Sequence, residues 1–186
     1  MECKNSARPD VAAALETPLD LVQAFAKANV TNSLLLLAGD GSLKEELQAE
    51  VARLGISERV RFLGFVNQTQ LPALYTAADV MVLPSEYDAC PVVVCEAMLC
   101  GCPVVISDQI RGRFDIVLPG LTGDIFPCGD VDALAAVLKR LLLDRAGLGA
   151  LAANARQRME TWSPHEYIAA VVESVRRASS RLRASS

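Results

Sequence analysis

The sequence predicts an α/β domain with a parallel β-sheet that is covered by helices on both faces. Three observations lead to this prediction. Short continuous apolar runs recur along the 186 residues, as expected of strands buried on both faces. Segments of helical periodicity separate the runs, and successive parallel strands require such crossover helices. Hydrophobic residues make up 52% of the chain, which is enough for a continuous core.

The chain begins with a segment that carries no strand pattern. Residues 1–17 are polar and irregular, and a helix is predicted directly after them, over Pro18–Ala28. In a doubly wound sheet the strand before the first helix lies at the centre. The first strand is therefore predicted to be missing, which leaves a gap in the core.

Two strand–helix units follow this first helix. The apolar run Leu34–Leu37 predicts a strand buried on both faces. The next helix is predicted to begin at Ser42, with Glu45 completing a capping box, and to end at Gly55. The second unit consists of a strand over residues 60–63 and a helix over residues 71–78.

The alternation continues to the end of the chain. Strands are predicted over residues 80–83 and 104–106, with weaker candidates at 116–117 and 125–126. Helices are predicted over 92–99, 131–143, 148–159 and from Ser163 to about Arg177. This order is that of a Rossmann-like sheet, in which ligands bind where the strands end and the helices begin.

Charge and apolar content exclude several classes of function. The net charge of −4 argues against nucleic acid as a partner. No stretch of about 18 apolar residues predicts a membrane span, and no signal-peptide pattern is present, so we expect a cytoplasmic protein. We expect an irregular segment over 1–17, one domain over 18–178 and a flexible basic tail over 179–186, whose arginines allow at most peripheral membrane contact.

The cysteines do not predict a metal centre. Four of the six follow the spacing C-x4-C-x4-C-x-C, and His165 is the only histidine, which matches no usual zinc site. They are interpreted as small buried hydrophobic residues in a reducing compartment.

Residues 84–98 contain the largest concentration of candidate functional groups. A strand ends at Pro84, a loop follows, and a helix begins near Val92, so the free N–H groups of its first turn form a site for an anion. Glu96 lies one turn further on, where its carboxylate can accept bonds from hydroxyl groups. Taken alone, the arrangement equally fits a partly exposed acidic residue on an ordinary helix.

The pattern P-S-x-x-[acid]-x-x-x-x-V-x-x-E-A-M-x-x-G-x-P-V-V in this segment resembles the donor-site motif of glycosyltransferase family 4, also called group 1. Members usually carry two glutamates separated by seven residues. Here Glu96 is the second acid and Asp88 stands in place of the first. Ala89-Cys90-Pro91 replaces a turn that is often Gly-Phe-Gly.

The resemblance extends from about Leu19 to Leu143. The matching segments are Leu36–Gly41, Arg59–Val66, Leu71–Asp79, Gly101–Val105, Asp115–Val117, Gly120, Gly123 and Gly129–Asp130. It implies the C-terminal, donor-binding half of a GT-B fold and a retaining, hexosyltransferase-type enzyme. The donor would be a UDP- or GDP-linked sugar, with no metal or other cofactor.

The resemblance also implies roles for single residues. Glu96 would bind the ribose hydroxyls and Asp88 the hydroxyls of the donor sugar, and these two acids are the candidate catalytic residues. The amides around residues 90–92 would face the diphosphate, and the backbone near Phe65 would contact the base. The full set of implied donor-binding positions is Gly39, Gly41, Phe65, Val66, Ala89, Cys90, Pro91, Val92 and Glu96. Ordinary structural roles remain open, with Phe65 in the core, Gly39 and Gly41 in turns, and Asp88 on the surface.

Two departures from the family pattern affect the predicted activity. The basic pair that neutralises the diphosphate is replaced, with Thr17 at the lysine position and Ala12 near the arginine position. The N-terminal acceptor domain has no counterpart in these residues. We therefore expect a truncated enzyme that is inactive alone and needs a separate acceptor-binding domain or chain.

Three other functions fit the pattern less fully. A non-catalytic nucleotide-sugar-binding or interaction module agrees with the lost basic pair. A nucleotide-sugar epimerase of the same fold fits less well, because two acids at this spacing are typical of transferases. A phospho-receiver domain would require an acidic pair after its first strand.

Overall fold

The computed structural model describes residues 17–89, 91–162 and 168–177. The strands are β1 (Leu35–Ala38), β2 (Val60–Gly64), β3 (Met81–Leu83), β4 (Val104–Ser107) and β5 (Gly123–Phe126). The helices are α1 (Thr17–Ala28), α2 (Lys44–Arg53), α3 (Leu71–Ala77), α4 (Val92–Leu99), α5 (Arg113–Ile116), α6 (Val131–Leu143), α7 (Arg145–Glu160) and α8 (168–177). The predicted capping box at Ser163, the leading residues 1–16 and the tail 179–186 lie outside the described residues.

All strand pairs are parallel, and they form two separate ladders. β1 pairs with β2, while β3, β4 and β5 form a three-stranded sheet in that order. The predicted parallel α/β architecture is therefore confirmed. Within the described residues no strand joins β1 to β3, so the gap expected from the missing first strand lies between the two ladders.

The helices cover both faces of the strands. On one face α1 packs against α6 and α2, and their apolar side chains meet those of Leu35, Leu37 and Val105. On the other face α3, α4 and α7 enclose a second cluster around Met98 and Ile106. Every side chain of β4 is fully buried, as the apolar run predicts.

Three local predictions are wrong, and each has a physical reason. α2 begins at Lys44 after Leu43, without a side-chain cap, because Ser42 lies in the preceding turn. Ile116 ends the short helix α5, where its side chain is buried against the α4–α7 cluster. Leu34 lies outside β1 with 53% of its surface exposed, and in the described part of the chain this strand pairs with β2 alone.

Candidate functional site

The carboxyl ends of β3 and β4 lie together and position the loop that leads into α4. The Asp88 segment forms a parallel bridge with Ile110, and the backbone N–H of Arg111 donates to the Asp88 carbonyl at 2.9 Å. The buried hydroxyl of Ser107, at the end of β4, donates to the Ser85 carbonyl. These contacts attach the acidic loop after β3 to the end of β4.

Helix α4 begins at Val92, as predicted, and its N-terminus has no side-chain cap. Pro91 occupies the N-cap position with an extended-like ψ of 70°, and its carbonyl accepts from Val94 N–H at 3.0 Å. The amides of Val92 and Val93 precede the first intrahelical bond, and both residues are exposed. This end of α4 therefore presents N–H groups and the positive end of the helix dipole to the outside.

Glu96 lies one turn into α4 and is half-buried. The carboxylate lies near Tyr75, a buried residue of α3. Burial, and after it the nearby Glu96 carboxylate, raise the pKa of Tyr75, so the phenol keeps its proton at neutral pH. The acid can accept hydrogen bonds from a hydroxyl-bearing ligand.

Two arginines add positive charge at this edge. The guanidinium of Arg111 lies 5.5 Å from the ring centre of Tyr87, and that of Arg113 lies 4.8 Å from the ring centre of Phe114. The Cys128 N–H bonded to the Asp108 carboxylate is the main cause that lowers the pKa of Asp108, and the charge of Arg113 adds a smaller part. The charge comes from Arg111 in the loop after β4 and from Arg113 at the start of α5, whereas the basic pair of the family pattern is replaced before α1.

The remaining candidate positions lie at the ends of β1 and β2. Gly39 N–H donates to the Gly64 carbonyl at 2.8 Å, which places the turn after β1 beside Phe65. Phe65 is 80% exposed, so the alternative of a core role for this ring is wrong. Val66 is half-buried, and Gly39 and Gly41 are exposed.

A cavity of about 960 Å³ lies between these two groups of residues. Gly39, Gly41, Pro84 and Val93 line it, whereas Phe65, Val66 and Glu96 do not. Asp88, Ala89, Pro91 and Val92 also lie outside its lining, and Cys90 is not among the described residues. The structure thus brings Asp88, Val92 and Glu96 to one edge and leaves the Gly39–Phe65 group across the gap between β1 and β3.

Sequence reasoning assigned no individual role to three contributors to this edge. Tyr75, Ser107 and Arg111 come from α3, β4 and the following loop, and none belongs to the acidic motif. Each had a signal in the sequence, because Tyr75 lies in the matching segment Leu71–Asp79, and Ser107 and Arg111 follow within five residues of the predicted strand over 104–106. Within the described part of the chain no three metal-ligating side chains cluster. No helix in that part is long and apolar enough to cross a membrane.

Comparison with known proteins identifies the family to which the chain belongs. Residues 16–159 match the family model described as glycosyl transferases group 1. The chain is 35% identical over 127 residues to a GalNAc-alpha-(1->4)-GalNAc-alpha-(1->3)-diNAcBac-PP-undecaprenol alpha-1,4-N-acetyl-D-galactosaminyltransferase of Campylobacter jejuni. That match covers 68% of this chain and 34% of the relative.

Two solved structures share both fold and sequence with the chain. Sucrose-phosphate synthase from Thermosynechococcus elongatus superposes with a TM-score of 0.73 at 32% identity, over 93% of this chain and 43% of that protein. HepE from Anabaena, solved with UDP, superposes with a TM-score of 0.74 at 28% identity, over 86% and 46%. The chain therefore spans a third to a half of the length of the relatives it matches.

Proposed function

Because the chain belongs to the group 1 glycosyl transferases, we propose that it forms the part that binds a nucleotide-diphosphate sugar for retaining transfer to an acceptor. The observation that carries this proposal is the uncapped N-terminus of α4, one turn before Glu96, which follows the Asp88 loop that the Arg111 N–H holds at the end of β4. A phosphate favours free helix N–H groups and nearby guanidinium groups, and a ribose favours a carboxylate. The UDP found in HepE supports a nucleotide as the ligand class.

Each group at the edge formed by the Asp88 loop and the start of α4 then has a role. The amides of Val92 and Val93 bind the diphosphate, and Glu96 accepts from the ribose hydroxyls. Asp88 accepts from the donor sugar, while the backbone at Phe65 and Val66 contacts a uracil or guanine base. Gly39, Gly41 and Ala89 keep the backbone clear for close approach of the donor.

Catalysis in this arrangement depends on charge stabilisation and positioning. Negative charge develops on the leaving diphosphate as the bond to the sugar breaks, and preorganised positive groups lower that barrier. Arg111 and the α4 dipole supply such groups here, so we propose that the donor needs no metal ion. The acceptor is held by a separate domain or chain, which brings the reacting groups together.

A non-catalytic donor-binding module is the second candidate, because Thr17 and Ala12 replace the basic pair of the family pattern. The two functions differ in whether sugar is transferred to an acceptor. Turnover of labelled UDP- or GDP-sugars by the purified chain, with lipid and glycan acceptors, would exclude the module. We expect no useful turnover by these 186 residues alone.

Donor binding is tested by calorimetric titration of the full chain with UDP, GDP and their sugar conjugates. We expect saturable binding of one nucleotide class and about tenfold weaker binding by Glu96→Gln, since a charge-assisted hydrogen bond to the ribose is lost. Glu46→Gln, which neutralises an exposed acid on α2, is the matched control and should bind as the wild type does. Absence of heat at millimolar nucleotide, or equal affinity of both variants, would contradict the proposal.

A further inference from the structure

The hydroxyl of Ser107 is enclosed at the end of an otherwise apolar strand. Every side chain of β4 is fully buried, and Ser107 is the polar residue at its carboxyl end. Burial of a hydroxyl without partners costs free energy, so an enclosed serine is expected to form hydrogen bonds. The Ser107 hydroxyl donates to the Ser85 carbonyl and accepts from the Gln109 N–H at 3.3 Å. One oxygen atom therefore joins two different loops.

These two loops carry the acid and the arginine of the candidate site. Ser85 precedes Asp88 in the loop after β3. Gln109 precedes Arg111 in the loop after β4. The Arg111 N–H donates to the Asp88 carbonyl at 2.9 Å, which joins the loops a second time. The segment that ends in Asp88 is thus attached at its start by the Ser107 hydroxyl and at its end by the Arg111 N–H.

The regular β3–β4 ladder ends before the Ser107 contact. Its last pair is Leu83 with Ile106, so the chain has left this ladder when it reaches Ser85. On the other edge of β4, Ser107 still pairs with Phe126 of β5. The backbone of Ser107 therefore belongs to the β4–β5 ladder, while its side chain makes the link to the loop after β3. Removal of the hydroxyl is expected to loosen this loop more than the sheet.

Helix α4, which carries Glu96, is anchored separately. Its residues Val94 and Met98 have no exposed surface, and the helix packs against α7, α3 and β4. Loss of the Ser107 hydroxyl is therefore expected to leave Glu96 in place and to displace Asp88. The donor-binding proposal assigns the ribose to Glu96 and the donor sugar to Asp88. Comparison of a nucleoside diphosphate with its sugar conjugate separates the two contacts.

We propose that Ser107 is a positioning residue for the donor sugar. Its hydroxyl holds the Asp88 loop against the loop of Arg111 and so sets where the Asp88 carboxylate meets the sugar hydroxyls. Ser107 acts through Asp88, because its own side chain is enclosed. The inference rests on the proposed function, since it requires a sugar at Asp88. It adds to that function the group that decides how much the sugar contributes to donor affinity.

Thr122 provides a matched buried hydroxyl at the opposite end of the sheet. It is 2% exposed and directly precedes β5, whose amino end lies away from the carboxyl ends of the parallel strands β3 and β4. Its hydroxyl accepts from the Leu118 N–H at 2.9 Å. Thr122→Val and Ser107→Ala each delete a buried hydroxyl, so both should lower the melting temperature by a similar amount. A role in stability alone predicts no effect on the donor sugar in either variant.

The test is calorimetric titration of the full chain with UDP, UDP-glucose and UDP-N-acetylglucosamine, and with GDP and GDP-mannose. The measured quantity is the dissociation constant of the nucleoside diphosphate divided by that of its sugar conjugate. Ser107→Ala should bind the diphosphate within about twofold of wild type and lower this ratio at least about fivefold, because the charge-assisted bond between the sugar and Asp88 is misplaced. Thr122→Val should keep both values.

Two further variants separate the hydroxyl from the space that it fills. Ser107→Cys keeps a side chain of similar shape with only a weak donor and should lower the ratio as Ser107→Ala does. Ser107→Thr retains the hydroxyl and should keep the wild-type ratio. Hydrogen exchange without nucleotide should be at least about threefold faster at the Arg111 amide in Ser107→Ala and Ser107→Cys, and unchanged in Thr122→Val.

The outcomes distinguish this inference from the donor proposal on which it rests. Absence of nucleotide binding by the wild type would contradict the donor proposal, and with it the effect of Ser107 on the sugar. Wild-type diphosphate binding with an unchanged ratio in Ser107→Ala would overturn the positioning role alone. An equal fall of the ratio in Thr122→Val would also overturn it, because lost stability and not the Ser107 hydroxyl would then be the cause.

Discussion

The two ladders of this domain contain similar apolar sequences with different burial. In β4 the run Val104–Ser107 has no exposed surface, whereas β1 is only half-buried. Both strands have helices over their faces, so helix cover does not explain the difference. Among the described strands, β4 has a paired strand on each edge, whereas β1 pairs with β2 alone. Burial of an apolar run in a parallel sheet therefore depends on its edges as much as on its faces.

The comparison also separates two kinds of stabilising contact. The β3–β5 half depends on side chains enclosed between α4, α6 and α7. The β1–β2 half has a small cluster around Val22 and Val51, together with polar contacts at its surface. One of these contacts is the Gln23 amide, which donates to Glu50 at 2.9 Å and connects α1 to α2.

The largest expected contrast is between two core truncations. Ile106→Ala removes a fully buried side chain of β4 and should lower the free energy of unfolding by roughly 2–5 kcal/mol. Leu36→Ala, in the half-buried β1, should cost about 1 kcal/mol or less, because part of its surface is exposed in the folded state. Urea denaturation measures both. Equal losses would mean that the gap between β1 and β3 is closed in solution.

A second contrast compares two glycines. A methyl group on Gly123 would lie 2.1 Å from the Val104 carbonyl oxygen, so Gly123→Ala must push β5 away from β4. We expect a loss of roughly 1–3 kcal/mol, typical of overpacking. Gly41, in the turn after β1, has no atom within 4 Å of the corresponding position and no positive φ, so Gly41→Ala is the control. A similar loss in both variants would contradict the view that β3–β5 is the closely packed half.

The smallest expected effect is a pH dependence within the β1–β2 half. Hydrogen bonds from Arg53 and then Gln23 lower the pKa of Glu50 from 4.5 to about 2. A carboxylate with a lowered folded-state pKa stabilises the fold fully above its unfolded pKa, and this contribution is lost as pH falls from about 4.5 towards 2. Glu50→Gln should flatten this part of the stability curve by less than the effect of Gly123→Ala, because exposed ion pairs contribute little. An unchanged slope in the variant would assign the acid dependence to other carboxylates.

The candidate site was predictable where one continuous segment encodes it. The motif around Asp88 and Glu96 predicted the start of α4 at Val92, which the structure confirms. Predictions from short local patterns were wrong where residues distant in sequence set the bounds of an element. Ser42 and Glu45 read as a capping box, yet α2 begins later, and Ile116 read as a strand residue, yet α5 contains it. In both cases a short local pattern was outweighed by packing that the sequence does not display.

The order of apolar runs and helical segments determined the parallel α/β architecture, because a chain that alternates in this way can bury its strands only under crossover helices. The acidic motif likewise determined where α4 begins, at Val92. The tertiary structure decided which distant residues join that edge, namely Tyr75, Ser107 and Arg111, since their proximity depends on strand order. It also decided that the described strands form two ladders, β1-β2 and β3-β4-β5, because strand pairing is a property of neighbours in space and not of neighbours along the chain.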